Sequence, residues 1–135
     1  MGERTSQRNW SRDLSEIIEE IKKHFIVEAI ILFGSWSRSG GGDWSDIDLL
    51  VVAKDLEKLS ILERFSISAE YKRYRIDLFL YTYEELESMA LRGNALILSA
   101  LLEGIFLEAK PRVIELRNRI REIYIKKGRT WIRIT

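Results

Sequence analysis

The chain has 135 residues, a formal net charge of +1, 46% hydrophobic and 32% charged residues, and no cysteine. That length and balance fit one globular domain with its own core, and the missing cysteine excludes a disulfide framework, a thiolate metal site and a cysteine nucleophile. No apolar run reaches the roughly 18 residues of a membrane span, and residues 1–10 carry charge without an apolar stretch behind them, so the chain does not read as membrane-bound or led by a signal peptide, and a cytoplasmic location is expected.

Residues 11–25 read as a helix, with Leu14, Ile17, Ile18 and Ile21 on one face and Asp13 with Glu16 as a capping box. Residues 26–33, short and rich in branched side chains, read as a strand. A glycine- and serine-rich loop follows. Residues 46–53 read as a second strand, apolar on both faces from Ile47 to Ala53, which is the mark of a central position. A helical connection is expected over 54–71 with Leu56, Leu59, Leu62 and Phe65 facing the core, then a third strand over 73–82. Thr82 with Glu85 predicts a second capping box, on a helix that stops at Gly93. A short buried helix over 95–104 and an edge strand over 105–109 come next. Pro111 opens a last helix at a position where its missing N–H is harmless, with Val113, Ile114, Ile120, Ile123 and Tyr124 as its stripe and Gly128 as its end. The tail 129–135 is open between strand and disorder. The sum is an α/β (α+β) fold, a small mixed β-sheet of about four strands with helices packed on it. It forms a single domain, 1–135, with a core over about 14–109 and a basic C-terminal helix over about 111–127.

The chemistry is concentrated between Phe33 and Val52 and at Asp77. Alternate side chains of a strand share a face, so Asp46 and Asp48 point one way and Ile47 and Leu49 the other. Two close carboxylates repel, and a hard divalent cation such as Mg²⁺, held by one or two carboxylates and substrate phosphates, removes that repulsion. Asp77 stands in a strand pattern between Ile76 and Leu78, where an aspartate is unfavourable. Were its strand beside 46–53, three carboxylates would share a face and could hold two metal ions. The loop suits phosphate: Gly34 allows close backbone approach, Ser35 offers a hydroxyl and an N–H, and Arg38 can fork onto phosphate oxygens. Taken singly, each feature has a plain structural reading: a turn, a solvated strand end, an aspartate paired with Arg73 or Arg75. Their joint order is what points to phosphoryl chemistry.

Gly34-Ser35, ten residues, then Asp46-Ile47-Asp48 resembles the signature of the nucleotidyltransferase superfamily related to DNA polymerase beta, closest to its small prokaryotic branch, the minimal nucleotidyltransferases. The resemblance covers roughly residues 14–109. It implies a mixed sheet with the site at one edge, Asp46 and Asp48 as Mg²⁺ ligands, Asp77 as third carboxylate and base, and Gly34 and Ser35 cradling a triphosphate. It implies transfer of a nucleoside monophosphate, AMP from ATP, to a hydroxyl. Many small members are antitoxins that adenylylate a tyrosine of a helical HEPN-type toxin ribonuclease. With one histidine, His24, and no Arg-x4-6-His motif, this chain is not itself such a toxin. Two other readings stand beside it: an antitoxin that masks its toxin by contact alone, and transfer to a small molecule as in aminoglycoside-modifying relatives, which usually carry a further domain.

From Lys110 to Thr135 there are nine Lys or Arg and two Glu, an excess of seven positive charges. This stretch leaves open an RNA partner, an acidic protein partner, or a solvated face. Trp36 and Trp44 flank the glycine loop and either stack on a ligand or pack the loop. Trp131 is expected in a contact with a partner or in a homodimer, His24 at the negative end of the first helix, and Tyr71, Tyr74, Tyr81 and Tyr83 in packing roles.

Overall fold

The computed structural model describes residues 10–34 and 46–135. Helix α1 (Trp10–His24) is followed by strands β1 (Val27–Phe33) and β2 (Ile47–Ala53), a 3₁₀ turn (Lys54–Lys58), helix α2 (Ile61–Tyr71) and a second 3₁₀ turn (Lys72–Tyr74). Strand β3 (Ile76–Tyr81), helices α3 (Tyr83–Leu91) and α4 (Ala95–Glu103), strand β4 (Ile105–Ala109) and helix α5 (Pro111–Arg121) come next, and strands β5 (Tyr124–Lys127) and β6 (Thr130–Arg133) complete the order. The main sheet runs β3-β2-β1-β4. β1 pairs antiparallel with β2 and with β4, while β2 and β3 are parallel.

The expected mixed α+β architecture is the one observed. β1 and β2, the strands apolar on both faces, take the two central places, and β4 is an edge. On one face Ala29, Ile31, Phe33, Leu50 and Val52 pack under Leu86, Ala90, Ile97, Leu98, Leu101, Val113, Leu116 and Ile120 of α3, α4 and α5. On the other, Ile30, Leu32, Leu49, Val51, Leu78 and Leu80 meet Ile17 and Ile21 of α1 with Leu56 and Tyr71. The alternation of strand side chains thus divides the helices into two layers. The Thr82–Glu85 capping box forms, with Glu85 N donating to Thr82 Oγ1 at 3.2 Å and Thr82 N to Glu85 Oε1 at 2.9 Å. Pro111 opens α5, and Gly93 closes the α3 end at φ +79°. His24 sits in the last turn of α1.

Several boundaries differ from the expectation, each for a local reason. α1 starts at Trp10, which puts Asp13 inside the helix and not at its cap. The connection after β2 is two pieces. The 3₁₀ turn breaks the helical phase, and α2 starts afresh behind a Ser60–Glu63 capping box. Leu56 is buried as expected, but Leu62 and Phe65 are 77% and 65% exposed. The inward positions of α2 belong to Arg64 and Tyr71. Arg64 is buried because it donates to Leu56 O at 2.7 Å and to Glu85 at 2.6 Å. β3 starts at Ile76, since Arg75 takes a left-handed conformation (φ +62°) and closes the turn before it. The C-terminal helix ends at Arg121, and residues beyond it form the β5–β6 hairpin, with Gly128 at its turn (φ +61°). Trp131, expected in a partner contact, packs on the α3–α5 layer with the Lys126 ammonium 5.5 Å from its ring.

Candidate active site

Strand pairing does most of the assembly. The parallel register sets Asp48 opposite Asp77 and Ile47 opposite Ile76. Ile47 N donates to Arg75 O at 2.9 Å, which locks the start of β2, with Asp46 just before it, against the turn leading into β3. Ile47 and Ile76 belong to the α1–α2 layer, so by alternation Asp46, Asp48 and Asp77 share the opposite face. The three aspartates read from the sequence are thus brought together at one end of the sheet.

Gly34 ends β1 at φ +78°, a left-handed conformation natural to glycine. A Cβ built there would lie 2.3 Å from Asp48 Oδ2. The backbone of Gly34 therefore lies directly against the Asp48 carboxylate, a closeness that only hydrogen in place of a side chain permits. Ser35, Arg38, Trp36 and Trp44 lie outside the described residues.

Two basic residues absent from the expected site complete the geometry. Lys72 Nζ donates to Asp46 Oδ2 at 2.7 Å and to Asp77 Oδ1 at 2.5 Å. Arg75 Nε donates to Asp46 Oδ1 at 3.1 Å. The partner of Asp77 is therefore Lys72, and of the two arginines weighed for it Arg75 turns to Asp46, while Arg73 donates to the Tyr74 hydroxyl at 2.8 Å. The signal in the sequence was the run Lys72-Arg73-Tyr74-Arg75 immediately before the third strand. Which of its cations would reach back depended on the 3₁₀ turn and the left-handed residue.

The electrostatics follow the geometry. The hydrogen bond from Lys72, with help from Arg75, holds the Asp46 carboxyl below its ordinary range. Those same hydrogen bonds to Asp46 and Asp77 push the Lys72 ammonium above its ordinary range. Asp48 goes the other way. Burial first, then the charge of Asp77, its hydrogen bond and the charge of Asp46, raise its pKa from 3.8 to about 6. As the side chains stand, no three acidic groups among the described residues are arranged as a metal site; an ammonium stands between two of them. The donor set nevertheless suits a hard divalent cation. It is all carboxylate oxygen, and Asp48 is the member around which burial and like charges outweigh the nearby Lys72 ammonium.

Four cations of the basic C-terminal stretch are engaged within the fold. Arg112 makes a two-pronged pair with Glu28, at 2.7 Å on each oxygen. Arg119 pairs with Glu87 at 2.5 Å, Lys126 with Glu103 at 2.8 Å, and Arg117 lies over the Phe106 ring. Among the described residues no helix is long and apolar enough to cross a membrane.

Residues 15–103 match the family described as Polymerase beta, Nucleotidyltransferase. A proposed protein adenylyltransferase of Methanocaldococcus jannaschii is 44% identical over 50 residues, which is 36% of this chain and 34% of that protein. The match thus spans about a third of that relative's length. A chain of the structure of tri-AMPylated Shewanella oneidensis HEPN toxin in complex with MNT antitoxin is similar in fold, with TM-score 0.53 and 20% identity over 81% of this chain and 80% of that one. So is a chain of a toxin-antitoxin structure with AMP-PNP, with TM-score 0.56 and 19% identity over 79% of this chain and 82% of that one.

Proposed function

The chain belongs to the polymerase beta nucleotidyltransferase family, and from that premise we propose that it transfers AMP from ATP to a hydroxyl acceptor, a tyrosine of a HEPN-type toxin, and so acts as an antitoxin. The observation that carries this reading is the Asp48–Asp77 register with the Gly34 backbone against Asp48. An adenylyltransferase relative, a neighbour holding AMP-PNP and a neighbour whose toxin is AMPylated support the choice of nucleotide and partner.

In this mechanism Asp46, Asp48 and Asp77 would hold Mg²⁺. When bound, Mg²⁺ supplies positive charge against the phosphate oxygens of the nucleotide. Gly34 and Ser35 would cradle the triphosphate, and Arg38 would add a charged fork. Asp77 accepts the proton of the incoming hydroxyl at a carboxylate oxygen. The acceptor oxygen then bonds to the α-phosphorus, the bond to the β-phosphate breaks, and pyrophosphate leaves. The chain's main contribution is position and fixed charge.

The test mixes the protein with labelled ATP, Mg²⁺ and a HEPN-type toxin. Label is expected on a toxin tyrosine, and no transfer under conditions where ATP binds would overturn the reading. Gly34→Ala tests the geometry. Its Cβ cannot coexist with Asp48 Oδ2, so the carboxylate must shift, and kcat/KM for transfer is expected to fall about 100-fold with the far-ultraviolet circular dichroism unchanged. Near-native transfer would show that Asp48 is not held where the reaction needs it.

A second reading, masking of the toxin by contact without transfer, is favoured by one observation: Ile61, Leu62 and Phe65 of α2 are each at least 60% exposed. Under it, the double variant Asp46→Asn, Asp48→Asn still neutralises the toxin. Binding without neutralisation in that variant would exclude it.

A further inference from the structure

The ammonium of Lys72 lies where the carboxylates converge. It takes one oxygen of Asp46 at 2.7 Å and one of Asp77 at 2.5 Å, while Arg75 takes the other oxygen of Asp46. Each oxygen of Asp46 thus faces a cation that the chain itself provides. Around Asp48 the like charges of Asp77 and Asp46 outweigh that of the Lys72 ammonium.

Three features make this arrangement displaceable and not merely structural. The Lys72 side chain is 56% exposed, so the way out leads into water. Its residue sits in a short turn tied back by Arg75 N to Lys72 O at 2.9 Å and by Ile47 N to Arg75 O, so the backbone is held independently of where the side chain points. Lysine carries its charge on a flexible, strongly hydrated head, unlike the arginine that contacts Asp46 at 3.1 Å beside it.

From this geometry we propose that Lys72 is a built-in counter-cation that competes with the divalent ion for Asp46 and Asp77 and so couples metal binding to nucleotide binding. The inference rests on the nucleotidyltransferase reading of the site. Without nucleotide, Lys72 neutralises the carboxylates and the metal must displace it. With nucleotide, the displaced ammonium is drawn to the phosphates beside the site, so the metal and the nucleotide enter together. Lys72 is a positioning residue in this scheme, since it acts on the carboxylates and not on the reacting atoms. A state that excludes the metal in about nine molecules of ten weakens the apparent metal affinity about tenfold.

The experiment titrates Mn²⁺ alone, with no nucleotide, and reads free Mn²⁺ by electron paramagnetic resonance, for the native chain, Lys72→Met and Lys72→Arg. Lys72→Met is expected to bind Mn²⁺ about tenfold more tightly than the native chain, and its melting temperature to rise further on adding Mn²⁺. Lys72→Arg, which keeps the charge on a less readily displaced head, is expected to bind Mn²⁺ no more tightly than the native chain. Equal or weaker binding by Lys72→Met overturns the proposal. The double variant Asp46→Asn, Asp48→Asn is the reference. If the native chain binds Mn²⁺ better than this reference but Lys72→Met gains nothing, the counter-cation proposal falls alone. If neither binds better than the reference, the metal reading of the site falls with it.

Discussion

Asp48→Asn is expected to reduce nucleotidyl transfer by at least about 10³-fold while leaving the unliganded protein no less stable than the native chain at neutral pH. The amide keeps the size of the carboxylate but removes the charge that burial, Asp77 and Asp46 all oppose. The pH profile separates this from a neutral substitution. The Asp48 pKa is raised in the fold, from 3.8 to about 6, so the folded state binds the proton more tightly than the unfolded chain. Its contribution to stability is therefore present at low pH and lost as the pH rises through about 6. Urea denaturation of the native chain should show this gain between neutral pH and pH 5, and Asp48→Asn should lack it. Asp46→Asn is the contrast. Its carboxyl is stabilised by Lys72 and Arg75, so its loss is expected to lower stability, by about 1 kcal/mol for so exposed a network. Strong destabilisation by Asp48→Asn, or retained transfer, would show that the charge distribution at this sheet end is misassigned.

Arg112→Met is the substitution with the largest expected effect on the fold itself. Glu28 is only 4% exposed, and its two oxygens are taken by Arg112. Removing the guanidinium leaves a buried carboxylate without its main partner. The expected loss is about 2 kcal/mol, below the ~3–5 of a fully buried pair, because Arg112 is partly exposed and Lys54 and Lys110 stand near. The hydrogen bond from Arg112 holds the Glu28 pKa below its ordinary 4.5. The stabilisation is therefore present above pH 4.5 and lost as the pH falls through the lowered folded value. The deficit of Arg112→Met, read from urea midpoints, should be largest at neutral pH and shrink below pH 4.5. The double variant Glu28→Met, Arg112→Met should recover part of it. An equal deficit at both pH values would assign the effect to the contact of the guanidinium with the Tyr83 ring.

The strands and the acidic half of the site were legible because they break or obey simple periodicities. β1 and β2 are apolar on both faces and central, and an aspartate amid Ile76 and Leu78 contradicts its surroundings strongly enough to be noticed. The cationic half was not legible. Lys72 reaches Asp46, 26 positions earlier, only because a 3₁₀ turn and a left-handed Arg75 redirect the chain, and neither has a periodicity. The same blindness to short turns misplaced the inward face of α2, where Arg64 replaces the leucine stripe that the unbroken pattern suggested. The hairpin Tyr124–Arg133 was hidden because its strands of four residues are too short for alternation to stand out.

The one parallel pairing in the main sheet also governs when the molecule becomes competent. β1 and β2 meet antiparallel, but β2 and β3 can register only after the crossover through α2 and both 3₁₀ turns is in place. Asp48 thus pairs with Phe33 across a shorter stretch of chain, while Asp77 joins it through a longer chain closure, which is slower in general. The constellation is therefore complete only once the β2–β3 register that sets Asp77 opposite Asp48 has formed.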